Sequence, residues 1–156
     1  MMQTNVQTDL VTAIRNGRFG EIKRLVESGV DLNVRDAYNS TALLYACHHV
    51  QVFKSREMAD IVRMLLDRGA DPLVRDSFGR TPLGELAYYG YTELVKRLLD
   101  MGADLNDQDD QGLTALMQAS RGQNTEIINE LLKRGADPEI KDNKGRTAKM
   151  LDEIWR

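Results

Sequence analysis

Residues 69–104, GADPLVRDSFGRTPLGELAYYGYTELVKRLLDMGAD, begin and end on the same Gly-Ala-Asp tripeptide, 33 residues apart. Between the two copies the chain spells a complete structural sentence. Thr81 precedes Pro82, and a threonine N-cap followed by proline at the first helical position is a strong start signal, since that proline's missing N–H has no helical partner to lose. A second start follows at Thr92-Glu93, where a hydroxyl before an acid suits the positive end of a helix. Leu94, Val95, Leu98 and Leu99 then fall at i, i+1, i+4 and i+5, which puts one apolar stripe on one helical face. Gly102 supplies the left-handed conformation that ends a helix. The stretch therefore predicts a turn, two short helices and a second turn.

Working outward, the same markers recur. Gly29, Gly69, Gly102 and Gly135 each open a Gly-x-Asp turn, at spacings of 40, 33 and 33. Thr41-Ala42-Leu43, Thr81-Pro82-Leu83, Thr114-Ala115-Leu116 and Thr147-Ala148-Lys149 repeat with the same three spacings. Ile61, Val62, Leu65, Leu66 and Ile127, Ile128, Leu131, Leu132 reproduce the apolar stripe, and Pro72 and Pro138 keep the preceding helix from resuming. A period of 33 with a Thr-Pro-Leu opening resembles the ankyrin repeat family, over roughly Asp9 to Trp155. The family's signature histidine is replaced by Leu44, Gly84 and Met117. The resemblance implies an all-α solenoid of stacked helix-turn-helix units with projecting turns.

On this register the chain, 1–156, is one repeat domain. Residues 9–36 form an N-terminal cap unit, 37–76, 77–109 and 110–142 are full units, and 143–156 supply a C-terminal half-unit with one helix. Lys149, Asp152 and Glu153 suit a terminal helix with one face in water. Unit 37–76 is enlarged by seven residues near 50–56, Val-Gln-Val-Phe-Lys-Ser-Arg. Without Gly or Pro there, the expectation is about one added turn on each of its helices. Phe53 is a candidate second contact, or simply packing between lengthened helices.

A solenoid of such units offers a concave face for binding. By the family resemblance, that groove is lined by the turn tips and by the exposed end of each first helix. The residues there are Ala37, Tyr38, Ser40, Tyr45, His48 and His49, then Ser77, Phe78, Arg80, Glu85, Tyr88 and Tyr89, then Asp110, Gln111, Leu113, Gln118 and Arg121. Four of the five tyrosines fall on it, with Phe78 at the tip equivalent to Tyr38. Tyrosine gives a large contact area at small rotamer loss and keeps a polar tip, so it is enriched among interface hot spots. The competing reading is that some rings merely pack along the repeat surface.

Composition narrows the function classes. The 156 residues are 42% hydrophobic and 29% charged, which fits a globular chain able to bury a core. Lys plus Arg number 21 and Asp plus Glu 24, so a formal charge of −3 gives no general attraction to nucleic acid or anionic membrane. Arg15, Arg18, Lys23 and Arg24 cluster without interleaved aromatics and read as a solvated face. The single cysteine, Cys47, excludes an intrachain disulfide. With no secretory pattern in Met1 to Asp9 and no membrane-length apolar run, the cytosol or nucleus is expected. Cys47, His48 and His49 are adjacent, so on a helix they splay by about 100° per residue and do not converge on one metal ion. Asp107 to Asp110 lacks calcium-loop spacing and reads as a solvated turn. No phosphate loop, serine elbow or His-Glu-x-x-His motif is present, and neither catalysis nor a cofactor or metal is expected.

Asn33 and Asn106 each have Asp two residues before and Leu eight before. They resemble ankyrin turns that are asparaginyl hydroxylation substrates in animal cells, although turn hydrogen bonding suffices to account for them. The expected function is a monomeric protein-protein interaction module that binds a protein partner through the groove, as adaptor, inhibitor or neutralising partner. Stand-alone ankyrin-repeat proteins of that kind include bacterial toxin-neutralising and host-directed ones. The alternatives are a metal-binding or catalytic protein using Cys47, His48 and His49, and a structural protein that self-associates through its exposed aromatics.

Overall fold

The computed structural model describes residues 6–50 and 56–155, with side chains described for 9–50 and 56–153. All regular structure among them is helical: α1 Val6–Arg15, α2 Phe19–Glu27, α3 Ala42–His49, α4 Arg56–Asp67, α5 Pro82–Tyr89, α6 Thr92–Asp100, α7 Ala115–Arg121, α8 Thr125–Lys133 and α9 Ala148–Trp155. Contacts cluster into two compact units, Met1–Asp76 and Ser77–Arg156, divided at a repeat boundary. In the first, α1 pairs with α2 and α3 with α4, while α1 stacks on α3 and α2 on α4. In the second, α5 pairs with α6 and α7 with α8; α5, α7 and α9 form one row and α6 and α8 another.

The apolar stripes explain the rows. Ile22 and Val26, Ile61 and Leu65, Leu94 and Leu98, and Ile127 and Leu131 are all buried. A single hairpin has nowhere to bury its stripe, so the neighbouring hairpin must cover it. The last residue of each stripe differs from unit to unit. Leu66 is buried, Leu99 is half-buried and Leu132 is 42% exposed. After α8, the terminal half-unit contributes α9 to the row of first helices.

The first helices start where the sequence places them. Thr41, Thr81 and Thr114 are N-caps in extended conformation, and their hydroxyls accept from the N–H of Leu44, Gly84 and Met117. The second helices differ from expectation. Thr92 and Thr125 are the first helical residues, and the N-caps are Tyr91 and Asn124, neither of which makes a side-chain cap bond. Asn124 has other work, since its amide donates at 2.8 Å to the carbonyls of both Ala87 and Tyr88 at the end of α5. In the enlarged unit, α3 has 8 residues, as α5 does, whereas α4 has 12 against 9 for α6. The predicted extra turn thus appears at the start of α4 and not on α3. The rest of the excess, with Phe53, lies outside the described residues.

In three of the turns a carboxylate organises the backbone, and in two of these it also ties the turn to a helix. Asp36 Oδ1 accepts from the N–H of Tyr38 and Ser40, while Oδ2 accepts from the Tyr45 hydroxyl at 2.6 Å. Asp109 repeats this with the N–H of Gln111 and Leu113 and the Gln118 amide. Asp142 does so with the N–H of Lys144 and Arg146 and the Arg146 guanidinium. Within each unit the turns are also linked to one another. Asn33 donates to the Gly69 carbonyl and accepts from Asp71 N–H, and Asn106 accepts from Asp137 N–H. Arg35 bridges the Asn39 and Arg75 carbonyls, as Gln108 bridges those of Gly112 and Lys141. Both asparagines therefore perform the structural role that turn geometry requires.

Burial pushes the Asp142 carboxyl up, but the Arg146 side chain and the N–H groups of Arg146 and Lys144 outweigh it and hold the group below the ordinary carboxylate range. Asp36 is lowered in the same way, burial being outweighed by Tyr45 and the N–H groups of Ser40 and Tyr38. A folded-state pKa below the unfolded value of about 3.9 contributes stability that is present above that value and is lost as pH falls through the folded pKa. Thermal melts should accordingly show the protein losing stability below about pH 4. Asp142→Asn should cost about 1–3 kcal/mol at pH 7 and flatten that acid dependence; an unchanged melt at both pH values contradicts the assignment.

Gly122 gives a second prediction. A Cβ placed there would collide with the Tyr88 carbonyl and the Asn124 amide, both fixed where α5 meets the loop after α7. Gly122→Ala should lower stability by about 1–3 kcal/mol in urea titration, with the denaturant slope retained.

Candidate functional site

In the unit 1–76, Tyr38 stands at a turn tip and is 58% exposed. Tyr45 projects from α3 but is only half-buried, and its hydroxyl is committed to Asp36. That bond, with burial and the Asp36 charge, pushes the Tyr45 phenol up. One turn later, His49 Nδ1 donates to the Tyr45 carbonyl at 2.9 Å, which places the ring proton on Nδ1. Burial pushes the His49 imidazole down, so it is neutral at pH 7. The rings of Tyr45 and His49 are 6.4 Å apart, and those of His48 and His49 are 5.5 Å apart edge to face. The α3 end thus presents a tied aromatic ledge, and the turn tip of the same unit carries the exposed Tyr38 ring.

In the unit 77–156 the candidates are knit together more closely. Tyr88 and Tyr89 close α5 as an edge-to-face pair with centroids 5.0 Å apart, a favoured aromatic geometry. The Arg121 guanidinium lies 5.5 Å from the Tyr88 ring centre. Arg121 also donates to Gln118, and Gln118 to Asp109, so one chain of contacts runs from the turn to the aromatic pair. Burial pushes the Tyr89 phenol up, with help from the Glu85 carboxylate four residues earlier. Phe78, 51% exposed at its tip, lies under the Arg80 guanidinium at 5.2 Å. Gln111 is exposed, and its N–H bonds to Asp109 while its carbonyl accepts from Asn143 N–H. The Asn124 amide holds the carbonyls of Ala87 and Tyr88, which fixes the direction in which α5 delivers its two tyrosines.

Two expected groove residues are elsewhere. Ser40 and Leu113, each one residue before the capping threonine, are buried, because the turn carboxylate pulls their N–H groups inward. Arg80 holds the equivalent place and is half-buried, its length carrying the charge outward. Asp109, read from sequence as part of a solvated acidic turn, is half-buried and fully engaged. The signal that identifies it was available. Asp36, Asp76, Asp109 and Asp142 stand five residues before each threonine and share the 40, 33 and 33 spacings.

Cys47 is fully buried in α3, a small apolar residue in packing terms. Among the described residues, no group of three or more His, Cys, Asp or Glu side chains is arranged to hold a metal ion, and no helix is long and apolar enough to cross a membrane.

Comparison with known proteins agrees with this geometry. The family model for ankyrin repeats in three copies matches residues 1–76 and 51–142. Serine/threonine-protein kinase 12 of Arabidopsis thaliana is 35% identical over 80 residues, which is 51% of this chain but only 16% of the kinase. The chain therefore spans a small part of that protein's length. Ankyrin repeats in general are protein-protein interaction modules and are typically non-catalytic. From the 33-residue register, the stacked helix pairs and the family match together, the chain belongs to the ankyrin repeat family.

Proposed function

We propose that this chain is a non-catalytic binding module that docks a protein partner on the face carrying its turn tips and the ends of its first helices. It acts there as an adaptor, inhibitor or neutralising partner, in the cytosol or nucleus. The observation that carries the reading is the Tyr88–Tyr89 pair. Two large rings, one of them 36% exposed, sit at the surface end of α5 in a fixed edge-to-face arrangement. Their backbone is clamped by Asn124, and Arg121 is packed against one face. A surface held this rigidly loses little conformational entropy on binding, and Tyr and Arg are the residues most often found to dominate interface energetics. Phe78 and Tyr38 add exposed rings at the tips of their own units.

The test is affinity capture from native lysate with the whole chain as bait, followed by mass spectrometry and titration of the partner recovered. Tyr88→Ala combined with Tyr89→Ala should weaken that complex by more than about 2 kcal/mol, roughly thirtyfold, while helicity stays unchanged. Full binding by the double variant overturns the reading. The aromatic surface also permits association with a second copy. Sedimentation over a concentration series distinguishes this, because an oligomer fraction must rise with concentration by mass action and a monomer shows no such rise.

A further inference from the structure

Seven residues after Thr8, Thr41, Thr81 and Thr114 stand Arg15, His48, Tyr88 and Arg121, so one register position of the first helices carries either a ring or a guanidinium. In the unit 77–156, α7 stacks on α5 and brings two of them together, with the Arg121 guanidinium 5.5 Å from the Tyr88 ring centre. Arg121 Nη1 donates to Gln118 Oε1 at 3.0 Å. The Gln118 amide donates in turn to Asp109 Oδ2, whose partner oxygen holds the turn. A ring against its face and an amide at one nitrogen therefore fix the guanidinium before anything binds. Among the described residues, its Nε and Nη2 have no hydrogen-bond or ion-pair partner. Those two nitrogens share one edge, and two parallel N–H groups on one edge match the two oxygens of a carboxylate.

Arg15 offers the same chemistry in the unit 1–76. It ends α1, is exposed, and has no hydrogen-bond or ion-pair partner among the described residues. Its charge reaches the rings of α3. It opposes the Asp36 bond and the burial that raise the Tyr45 phenol, and it adds to the burial that lowers the His49 imidazole.

The surrounding charge narrows the anion. Residues 77–156 carry the whole formal charge of −3, since acidic and basic residues balance over 1–76. Against that background a run of acids or a doubly charged phosphate is repelled, whereas one carboxylate is matched by one guanidinium edge. The Tyr88–Tyr89 pair beside that edge suits apolar neighbours of the acid.

We propose that Arg121 receives a single aspartate or glutamate carboxylate from the partner's docking segment on its Nε and Nη2 edge, while apolar residues adjoining that acid lie on Tyr88 and Tyr89. The inference rests on this face being the protein-binding surface and names the class of segment it takes. Because the guanidinium is held beforehand, little rotamer freedom is lost on binding. An arginine in the last turn also complements the helix dipole, but a lysine does that equally, and only the carboxylate fork needs the guanidinium.

The test is selection of binders from a displayed library of random peptides against the whole chain, followed by titration of those selected. The peptides should carry one Asp or Glu next to apolar residues, and replacing that acid by its amide should weaken binding about tenfold or more. Arg121→Lys should weaken the parent peptide comparably while leaving the melting temperature unchanged, which a role confined to the helix end does not give. In a double-mutant cycle, Arg121→Gln should cost nothing further once the peptide's acid is an amide. Equal weakening of the acid and amide peptides by Arg121→Gln overturns the carboxylate contact. Binding that needs Tyr88 and Tyr89 but is indifferent to the acid and to Arg121→Lys overturns the inference and leaves the proposed function standing. Enrichment of basic peptides or of acidic runs also overturns it, as does a library that yields no binder. Peptides indifferent to both Arg121 and the tyrosines overturn both.

Discussion

Three of the projecting turns each depend on one carboxylate. A turn must reverse the chain with few residues and cannot bury a core of its own, so its backbone N–H groups need fixed acceptors. Asp36, Asp109 and Asp142 each supply one oxygen to two such N–H groups and the other oxygen to a side chain. The backbone bonds shape the turn. The side-chain bond, from Tyr45 or Gln118, reaches nine residues on to the first helix and sets the turn tip against it. Exposed rings such as Tyr38 are therefore carried on braced supports. Hydrophobic stacking holds the helices, but it is this polar brace that gives the turn tips a definite form.

The period, the helix order and the capping threonines of the first helices were legible because each rests on local chemistry repeated at fixed spacing. Thr41, Thr81 and Thr114 accept from the third N–H of their helices as their residue type demands. Thr92 misled because a hydroxyl before an acid does not say whether it stands just outside the helix or just inside. Leu132 has the same local pattern as Leu66, yet one is exposed and the other buried, a difference that the pattern along the chain does not carry. The Asp series was in plain periodic view, yet an acid in a polar stretch reads as solvated until its donors are located.

The site divides along the same line. That Tyr88, Tyr89 and Phe78 reach the surface follows from their register on α5 and on the turn. That Arg121 packs on Tyr88, that Asn124 clamps the end of α5, and that Tyr45 spends its hydroxyl on Asp36 all depend on contacts between elements, which spacing along one chain does not encode. Arg121 is the instructive case. From sequence it is one polar residue among the candidate groove positions. In three dimensions it is stacked on Tyr88 and tied to Gln118, with one edge of the guanidinium unspent among the described residues. What a charged side chain has left to offer is known only when the atoms around it are known.

Native-state hydrogen exchange by NMR tests the brace most directly. The amides of Tyr38, Ser40, Gln111, Leu113, Lys144 and Arg146 lie in turns, outside every helix, and donate to the three carboxylates. The account predicts that these six exchange far more slowly than unstructured peptide, at rates approaching those of the flanking helices. Exchange of all six at free-peptide rates, with the helices still protected, would show that the turns are not held and would contradict it.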